Sequence, residues 1–275
     1  MKKTLSFLMI NLWLVSCAHP QKISTPKDPS KSTDSLVDPN LIPNATEQRL
    51  GEAIATEVLK KYKKLDVSEE FQNYANDIAQ NVGKHSHRTD VKYNVFFLDS
   101  KDEIALGLPG GKILISKGFL NLIQTESEFA SLIGNQIAHI AKQHLVKNLM
   151  KNSDYAQSFQ TGAISERLVQ QSMIELFELG YDINFVNEAD RLGSTYAMHC
   201  GYDIRAFQGL LQKLLKQYEK KRAYGFTDQT FDMMNHRTSM NQVFIQSLEK
   251  TDRSSFPKAE DRYPTMIKKI KLVKK

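Results

Sequence analysis

One stretch of this chain, LIGNQIAHIAKQH at 132–144, combines a helical apolar period with a small polar face. Its apolar side chains recur at spacings of four and three residues, which predicts a helix with one face packed against a core. Those side chains are Ile133, Ile137 and Ile140. Asn135 and His139 lie one turn apart on the opposite side. This arrangement fits either two solvated side chains or two side chains lining a cleft against the helix around 186–190.

The same helical period occurs on both sides of this stretch. The pattern predicts helices at about 46–65, 68–85, 117–123, 126–150, 163–179, 183–199 and 203–222. Two segments rich in β-branched and aromatic residues, 91–100 and 112–116, predict strands flanking ALGLPGG at 105–111. The 275 residues are 41% hydrophobic and 25% charged, an ordinary globular composition. We therefore expect an α+β fold, mostly helical, with one small β-sheet beside the helix that carries His139.

The N-terminus resembles a bacterial lipoprotein signal. Lys2 and Lys3 precede the apolar run LSFLMINLWLV, which has the length of a signal peptide rather than of a membrane-spanning helix. The run ends in LVSC, where Ser16 stands directly before Cys17. This pattern predicts a signal peptide over 1–16 and lipid attachment at Cys17. The alternative is a simple secretion signal whose cysteine is incidental.

The segment after the expected cleavage site predicts a tether. Residues 18–45 hold five prolines among polar residues and few large apolar ones, so they cannot bury enough surface to order themselves. We expect a lipidated cysteine and disordered tether over 17–45, and one folded domain with a basic C-terminal end over 46–275. Ala18 is not an aspartate, which in a Gram-negative lipoprotein suggests delivery to the outer membrane. The expected location is therefore the cell envelope, lipid-anchored at the periplasmic face of the outer membrane.

Charge and cysteine content exclude two classes of protein. The formal net charge of +6 is not accompanied by a basic helix or an aromatic-basic alternation, so no nucleic-acid partner is expected. With Cys17 acylated, Cys200 has no intramolecular partner, and no disulfide framework holds the chain together. Cys200 is interpreted as a buried apolar side chain.

Four landmarks, in order along the chain, resemble the HtpX/BepA-type zinc metallopeptidases, metallopeptidase family forty-eight. They are TEQRLGEAIA, DEIALGLPGGKILISKGFLNLI, ESEFASLIGNQIAHIAKQH and NEADRLGSTYAMHCGYD. They look like the family's opening helix, its strand–loop–strand segment, its His-Glu-x-x-His helix and its Glu-x-Glu-Ala-Asp helix. The resemblance covers most of 46–203 and implies a zincin-like metallopeptidase fold.

The resemblance also implies a zinc site, but the residues that would form it are replaced. The family binds zinc through both histidines of His-Glu-x-x-His and the first glutamate of Glu-x-Glu-Ala-Asp, and its other motif glutamate polarises the bound water. Here Asn135 and Gln136 stand for the first histidine and that glutamate, only His139 is kept, and Val186 stands at the third ligand. A catalytic zinc needs three protein ligands, and a carboxamide has no useful basicity. We therefore expect no metal, no cofactor and no hydrolysis. The resemblance implies that the retained Asp190 supports the ligand residues without binding the metal itself.

Neighbouring residues do not compensate if the two helices are regular. Glu188 is about 200° around its helix from Val186, so it faces away from the site. His144 is about 140° from His139, so the two cannot easily share one metal. In a cleft, Asn135 and His139 are expected to hydrogen-bond each other or a water. An active zinc endopeptidase with unorthodox ligands, His139 with His236 or His199, is the alternative, and zinc would then be its cofactor.

The family's C-terminal His-Pro landmark has two candidates in this chain. One is His236 in MMNHRTSMNQV, which lacks the proline. The other is RYPTMIKKI, with Tyr263 in place of the histidine and Lys269 near the usual arginine. The proline and the following periodicity favour the Tyr263 segment, which makes His236 a surface residue.

The loop of Ala-x-x-Leu-Pro-Gly-Gly type is the candidate polypeptide-binding element. In the family this strand looks suited to pairing with an extended chain, which supplies main-chain hydrogen bonds with little dependence on sequence. Its predicted substrate-binding residues are Leu108, Pro109, Gly110, Gly111, Lys112 and Ile113. Gly107 departs from the family's usual residue. The alternative is a plain edge hairpin whose glycines serve only the turn.

Taken together, the sequence predicts a lipid-anchored pseudopeptidase of the envelope that binds polypeptides or an envelope protein, in a scaffold or chaperone-like quality-control role. Two other hypotheses stay open: the active zinc endopeptidase described above, and a structural envelope lipoprotein without a peptide groove.

Overall fold

The computed structural model describes residues 42–222, 228–251 and 263–272. In chain order the helices are α1 (Asn44–Lys61), α2 (Glu69–Gly83), α3 (Lys117–Leu122), α4 (Glu126–Ala141), α5 (His144–Leu149), α6 (Ser153–Thr161), α7 (Glu166–Ile174), α8 (Ile183–His199), α9 (Ala206–Arg222), α10 (Asp228–Thr251) and α11 (Tyr263–Leu272). A π-helical turn, Glu175–Leu179, continues α7. Within these ranges, none of the helices has the length and apolarity needed to cross a bilayer.

The sheet has three strands, β1 (Asn94–Leu98), β2 (Ala105–Leu108) and β3 (Lys112–Ser116). β3 lies in the middle, parallel to β1 and antiparallel to β2. The strand predicted at 112–116 is confirmed, and the strand predicted at 91–100 is shorter at both ends. The four residues of β2 were expected to be part of a connecting segment. They form a strand because β3 supplies their pairing, which their glycine and short length do not predict.

Both faces of the sheet are buried, and each belongs to a different apolar cluster. Side chains alternate along β3: Ile113 and Ile115 join a cluster with α2, α4, α8 and α9, whereas Leu114 joins a second cluster with α1, α5 and α7. The sheet therefore lies between two helical layers, and α4 packs on the first of its faces. The predicted α+β, mostly helical fold is confirmed.

Several predicted helix boundaries differ from the observed ones, and two of the differences change how the chain is divided. Helix α1 begins at Asn44 rather than Thr46, and Ile42 is already buried, so four residues assigned to the tether belong to the described structure. The predicted helix 126–150 is two helices, because Gln143 adopts a left-handed conformation with φ of 51° between α4 and α5. This turn redirects the chain directly after the helix that carries His139.

Helices α4 and α8 touch backbone to backbone at two glycines. A Cβ atom on Gly134 would lie 2.5 Å from the carbonyl oxygen of Gly193, and a Cβ on Gly193 would lie 2.3 Å from the amide nitrogen of Asn135. Side-chain atoms do not approach backbone this closely. The absence of side chains at Gly134 and Gly193 therefore brings α8 directly against the segment of α4 that carries Asn135.

Several predictions fall outside the described residues. These are the signal peptide over 1–16, the lipid attachment at Cys17, the tether as far as residue 41, and the last three residues of the basic C-terminal end. Cys200 is described and is half-buried rather than buried, and its free thiol has a pKa raised to about 11, mainly by desolvation.

Candidate degenerate metal centre

Asn135 lies at the centre of the contact between α4 and α8. Its side chain is 1% exposed, and its amide nitrogen donates a hydrogen bond to Oδ1 of Asp190 over 2.7 Å. Its amide oxygen accepts a hydrogen bond from Nε2 of Gln136 over 2.8 Å. Both functional ends of Asn135 are therefore used within the protein. The expected hydrogen bond between Asn135 and His139 is wrong, because the Asn135 amide bonds to Asp190 and Gln136 instead.

The carboxylate of Asp190 is shared between Asn135 and a cation from α10. Arg237 donates from Nε to Oδ2 over 2.9 Å and from Nη2 to Oδ1 over 2.7 Å. The guanidinium and the carboxylate are both almost fully buried. A two-pronged contact of this kind is the strongest arrangement for an arginine and a carboxylate. Arg237, Asp190, Asn135 and Gln136 thus form one continuous hydrogen-bonded network across three helices.

His139 does not take part in this network and pairs instead with His144. Their Nδ1 atoms lie 3.0 Å apart, and the ring of His139 stacks on Tyr181 at 4.4 Å between centroids. Nε2 of His144 lies 3.2 Å from Oε2 of Glu188. The expected separation of about 140° between His139 and His144 on one helix does not occur, because the turn at Gln143 ends α4 and carries His144 back towards it.

The contacts among His139, His144 and Glu188 determine which ring nitrogen carries each proton. A carboxylate only accepts, so Nε2 of His144 donates to Glu188. A neutral His144 then carries a lone pair on Nδ1, so His139 is the donor in the contact between the two rings. The hydrogen-bonded row therefore runs from Nδ1 of His139 through His144 to Glu188. Glu188 was expected to face away from the site, but it is joined to it through His144.

Burial keeps both imidazoles neutral. Desolvation, together with the neighbouring His144 and Arg237, lowers the pKa of His139 well below its ordinary value. Desolvation also lowers the pKa of His144, although its contact with Glu188 opposes this. The hydrogen bond from His144, with a further contribution from Lys142, lowers the pKa of Glu188 to about 2. At neutral pH, His144 therefore meets Glu188 as a neutral donor rather than as half of an ion pair.

The residues at the family's ligand positions do not fit a zinc ion. Val186 is 2% exposed and packs in the second apolar cluster, where it offers no lone pair. The amide of Asn135 is committed to Asp190 and Gln136, which leaves His139 as the one strong donor among the three positions. In the part of the chain that the structure describes, no group of three His, Cys, Asp or Glu side chains is placed to hold a metal ion.

The alternative ligands of the unorthodox enzyme lie elsewhere. His199 is exposed, and its ring contacts His85 with 5.8 Å between centroids. His236 is also exposed, and its Nε2 lies 3.2 Å from Nδ2 of Asn187. His139 is buried among other partners. Neither pairing proposed for a metal with His139 is therefore formed.

The segment that reaches the site from the C-terminal part is that of His236 and Arg237. Arg237 is the residue that holds Asp190, and no local motif in the sequence marks it. The favoured candidate, Tyr263, lies elsewhere: it is buried against Phe129 and donates from its hydroxyl to the carbonyl of Leu120 over 2.8 Å. Of the two candidate segments, the one that carries His236 therefore reaches the site and the favoured Tyr263 segment does not. The expected surface position of His236 is confirmed.

The predicted polypeptide-binding segment is covered by α1. Leu108, Pro109, Gly111 and Ile113 are buried, and Gly110 and Lys112 are half-buried. Gly110 and Gly111 have φ of 76° and 95°, which only glycine adopts readily. A Cβ on Gly51 of α1 would overlap the carbonyl oxygen of Pro109. The glycines of the loop therefore serve both its tight turn and its close contact with α1.

Only a very small cavity separates β2 from His139. It has a volume of about 10 Å³ and is lined by Gly107, Pro109, His139 and Gln143, among others, which is room for at most one water molecule. Neither atom of the Gln143 amide has a hydrogen-bond partner in the described protein. The space between His139 and β2 is therefore closed in this conformation, and an extended chain does not fit there without movement.

Comparisons with known proteins agree with the resemblance in the sequence. The model of peptidase family M48 matches residues 68–262, well over half of the chain. The mitochondrial metalloendopeptidase OMA1 of Arabidopsis thaliana is 27% identical over 133 residues, which are 48% of this chain and 27% of the relative. The beta-barrel assembly-enhancing protease of Escherichia coli K12 is 25% identical over 159 residues, covering 52% of this chain and 32% of the relative.

The matched region is thus about a third or less of these curated relatives. A bovine relative, the mitochondrial metalloendopeptidase OMA1 of Bos taurus, is 26% identical over 140 residues, or 46% of this chain and 27% of its own length. The helices α4 and α8 and the three-stranded sheet all lie within the region that the family model matches. This chain belongs to peptidase family M48.

Proposed function

We propose that this protein is a member of the M48 family that does not hydrolyse peptides and that acts at the cell envelope as a binding or scaffold protein. The observation that carries the proposal is the network of Asn135, Asp190 and Arg237. At a position where the family has a zinc ligand, the amide of Asn135 is already hydrogen-bonded to protein groups. His139 therefore lacks the two further protein ligands that a catalytic zinc needs.

Peptide hydrolysis also needs a general base, and this chain has none at the family's position for it. Gln136 stands where the family's base stands, and its amide nitrogen is used in a hydrogen bond to Asn135. An amide does not accept a proton from water at neutral pH. The neutral, desolvated His139 donates towards His144 rather than towards a substrate. Restoring one component alone would therefore not produce an enzyme.

The expected setting of this function is the periplasmic face of the outer membrane, with a polypeptide or an envelope protein as partner. The signal-like N-terminus ending at Cys17 supports membrane anchoring, and the similarity to beta-barrel assembly-enhancing proteases supports an envelope setting. β2 is an edge strand of the sheet and is the element for strand addition, provided that the contacts of residues 108–113 with α1 open. Replacing Cys17 with serine should release the protein from membranes, and the Cys200→Ser control should stay bound.

A structural envelope lipoprotein without a peptide groove is the second candidate. The observation that favours it is the closed cavity beside His139, which has room for at most one water molecule. Photocrosslinking from Lys112, which is half-buried at the end of the loop, separates the two candidates. Trapping a polypeptide there supports binding at the sheet edge, and trapping none supports the structural role.

The absence of hydrolysis is tested by metal content and proteolysis of the purified full chain. We expect far less than one zinc per chain by mass spectrometry, and no cleavage of unfolded casein with or without added zinc. One stoichiometric zinc that a chelator removes, together with cleavage that stops on its removal, would refute the proposal and establish the enzyme with unorthodox ligands.

A further inference from the structure

Three lysines lie beside the first turns of α8. Lys147, on α5, and Lys151, just after it, both lie over the ring of Phe185, with Nζ 5.9 Å and 5.7 Å from the ring centroid. Nζ of Lys142 lies 3.2 Å from Oε1 of Glu188, which is one helical turn further along α8. Burial and, to a smaller extent, the charge of Lys142 lower the pKa of Lys147. The lysines are therefore near enough to repel one another.

Arg191 extends this set of cations along α8. It is exposed and lies one turn beyond Glu188, which is about 9 Å along the helix axis from Phe185. The pKa of His87 is lowered mainly by desolvation and further by Lys142 and Arg191, against an opposing effect of Glu188. The cations thus act on the same neighbouring side chain. We call this set the cationic patch, and its members are Lys142, Lys147, Lys151 and Arg191.

One carboxylate contacts the cationic patch in the described part of the chain, and its two oxygens are already used. This is Glu188, whose Oε1 pairs with Lys142 and whose Oε2 accepts from His144. The segment 142–151 contributes three lysines to the patch and contains no acidic residue. The patch therefore carries more positive charge than its own neighbours neutralise.

The other three members of the patch have no carboxylate partner. Among the described residues, Lys147, Lys151 and Arg191 form no ion pair, and Glu175, which contacts α5, is bonded to Asn148 rather than to a lysine. Cations elsewhere on the surface do form ion pairs, as in Lys112, Lys117, Arg205 and Lys213. A group of like charges without counter-charges creates a local potential that attracts anions.

The middle of the cationic patch is recessed. Lys142, Lys147 and Phe185 are half-buried, whereas Lys151 and Arg191, at the two ends, are exposed. A layer of lipid headgroups meets protruding side chains first, but a carboxylate on a flexible chain can also reach an ammonium group that is partly covered. The shape therefore favours an acidic polypeptide over a membrane surface.

We infer that the cationic patch binds an acidic polypeptide segment, whose carboxylates pair with Lys147, Lys151 and Arg191 along α8. A carboxylate that accepts from lysine or arginine forms a charge-assisted hydrogen bond, which is stronger than one between neutral groups. The inference names the class of polypeptide that the protein binds, so it rests on the proposed function. It does not depend on the sheet edge at residues 108–113 or on the loss of hydrolysis.

The inference is tested by fluorescence anisotropy of the full chain with two labelled synthetic peptides of equal length. The Cys17→Ser form is used, so that no lipid is attached. One peptide alternates glutamate with serine, and the other alternates glutamine with serine. We expect the glutamate peptide to bind and the glutamine peptide not to bind. In about 1 M salt, where the Debye length is about 3 Å, binding of the glutamate peptide should be lost.

Two double variants with the same change in charge locate the binding site. Lys151→Gln with Arg191→Gln should weaken binding of the glutamate peptide about tenfold or more, because two charge-assisted contacts are lost. The control, Lys216→Gln with Lys220→Gln, changes exposed positions on α9 and should leave the affinity unchanged. All four side chains are exposed, so both variants should unfold at the wild-type temperature, which separates lost binding from lost folding.

Three results would overturn the inference. The first is absence of binding of the glutamate peptide, and the second is equal weakening by the two double variants, which would mean non-specific attraction to a basic chain. The third comes from sedimentation with vesicles of phosphatidylglycerol and phosphatidylcholine. If the vesicles bind the protein through Lys151 and Arg191 and the glutamate peptide does not compete, the patch faces a membrane.

These outcomes can be told apart from those for the proposed function. If the glutamate peptide does not bind while crosslinking from Lys112 traps a polypeptide, the inference about the cationic patch is wrong and binding at the sheet edge stands. If the glutamate peptide binds at the patch and the zinc assay finds an active enzyme, the inference stands and the proposed absence of hydrolysis is wrong.

Discussion

Arg237 holds Asp190 through two hydrogen bonds of 2.9 Å and 2.7 Å, and Asp190 in turn accepts from Asn135, the residue that stands at a family zinc-ligand position. The guanidinium of Arg237, the carboxylate of Asp190 and the amide of Asn135 are thus joined by hydrogen bonds at the place where family members bind a metal. Loss of any one of these three groups would leave a buried polar or charged partner unpaired, and this leads to direct predictions.

Breaking the pair of Arg237 and Asp190 should strongly destabilise the protein. Arg237→Ala leaves the buried carboxylate of Asp190 without its cation, and such a change costs about 3–5 kcal/mol. Arg205→Ala is the matched control, because Arg205 and Asp203 form an exposed pair worth about 0–1 kcal/mol. Urea unfolding measures both. A loss below about 1 kcal/mol for Arg237→Ala would contradict a structural role for the network.

Restoring the family residues should make stability depend on zinc. In the triple variant Asn135→His, Gln136→Glu and Val186→Glu, the new carboxylate at 186 enters an apolar cluster, which costs several kcal/mol without a partner. Zinc would supply that partner, so the melting temperature should rise with zinc in the triple variant but not in the wild type.

The double variant without Val186→Glu is the control for this experiment, because it has only two of the three ligands. Recovery of peptide cleavage in the triple variant would show that the scaffold still holds the ancestral geometry. If the triple variant shows no zinc-dependent stabilisation, the positions of residues 135, 139 and 186 no longer match the family's site.

Acid should destabilise the protein through the two buried histidines. The pKa values of His139 and His144 lie below 6.5 in the folded state, so the unfolded chain binds more protons as the pH falls through that value. Their contribution to stability is present above about pH 6.5 and is lost below it, at up to about 1.4 kcal/mol per histidine for each pH unit.

Urea unfolding at a series of pH values checks this prediction. His139→Phe, which keeps an aromatic ring against Tyr181, should show a shallower loss between pH 7 and pH 5 than the wild type. Glu188 acts in a different window, because its contribution is lost as the pH falls from about 4.5 towards 2. An unchanged slope in His139→Phe would contradict the predicted role of this histidine.

Two glycine-to-alanine substitutions should have opposite effects. A methyl group on Gly193 would meet the backbone of Asn135 at 2.3 Å, so Gly193→Ala forces α8 away from α4 and costs about 1–3 kcal/mol or more. A methyl group on Gly209 would lie 3.6 Å from Oε1 of Glu128, an ordinary contact. Gly209→Ala should therefore stabilise α9 by about 0.4–1 kcal/mol. Thermal melts of both variants measure the difference, and equal effects would contradict the close approach of α4 and α8.

The sequence predicts the bounds of a helix or strand well where one patterned segment forms one such element. The strand 112–116 and the helix 183–199 have the predicted bounds. Consecutive apolar, largely β-branched residues mark the strand, and an apolar pattern of about 3.6 marks the helix. The break at Gln143 was not predictable in this way, since glutamine seldom adopts a positive φ and nothing in the local sequence marks it.

The site was harder to predict than the fold, and for a related reason. The sequence shows that Asn135, Gln136 and Val186 stand where the family has other residues. It does not show which side chains they contact, because those contacts are tertiary. Arg237 reaches Asp190 from 47 residues away, and His144 reaches His139 only because of the turn at Gln143. No periodicity or local motif contains that information.

The backbone contact between Gly134 and Gly193 has a consequence for how such a centre can change over time. Because main-chain atoms set the spacing of the two helices, no bound ion is required to hold them together. Individual ligands can then be exchanged one at a time while the surrounding architecture survives, and an enzyme ancestor could lose its reaction without losing its shape.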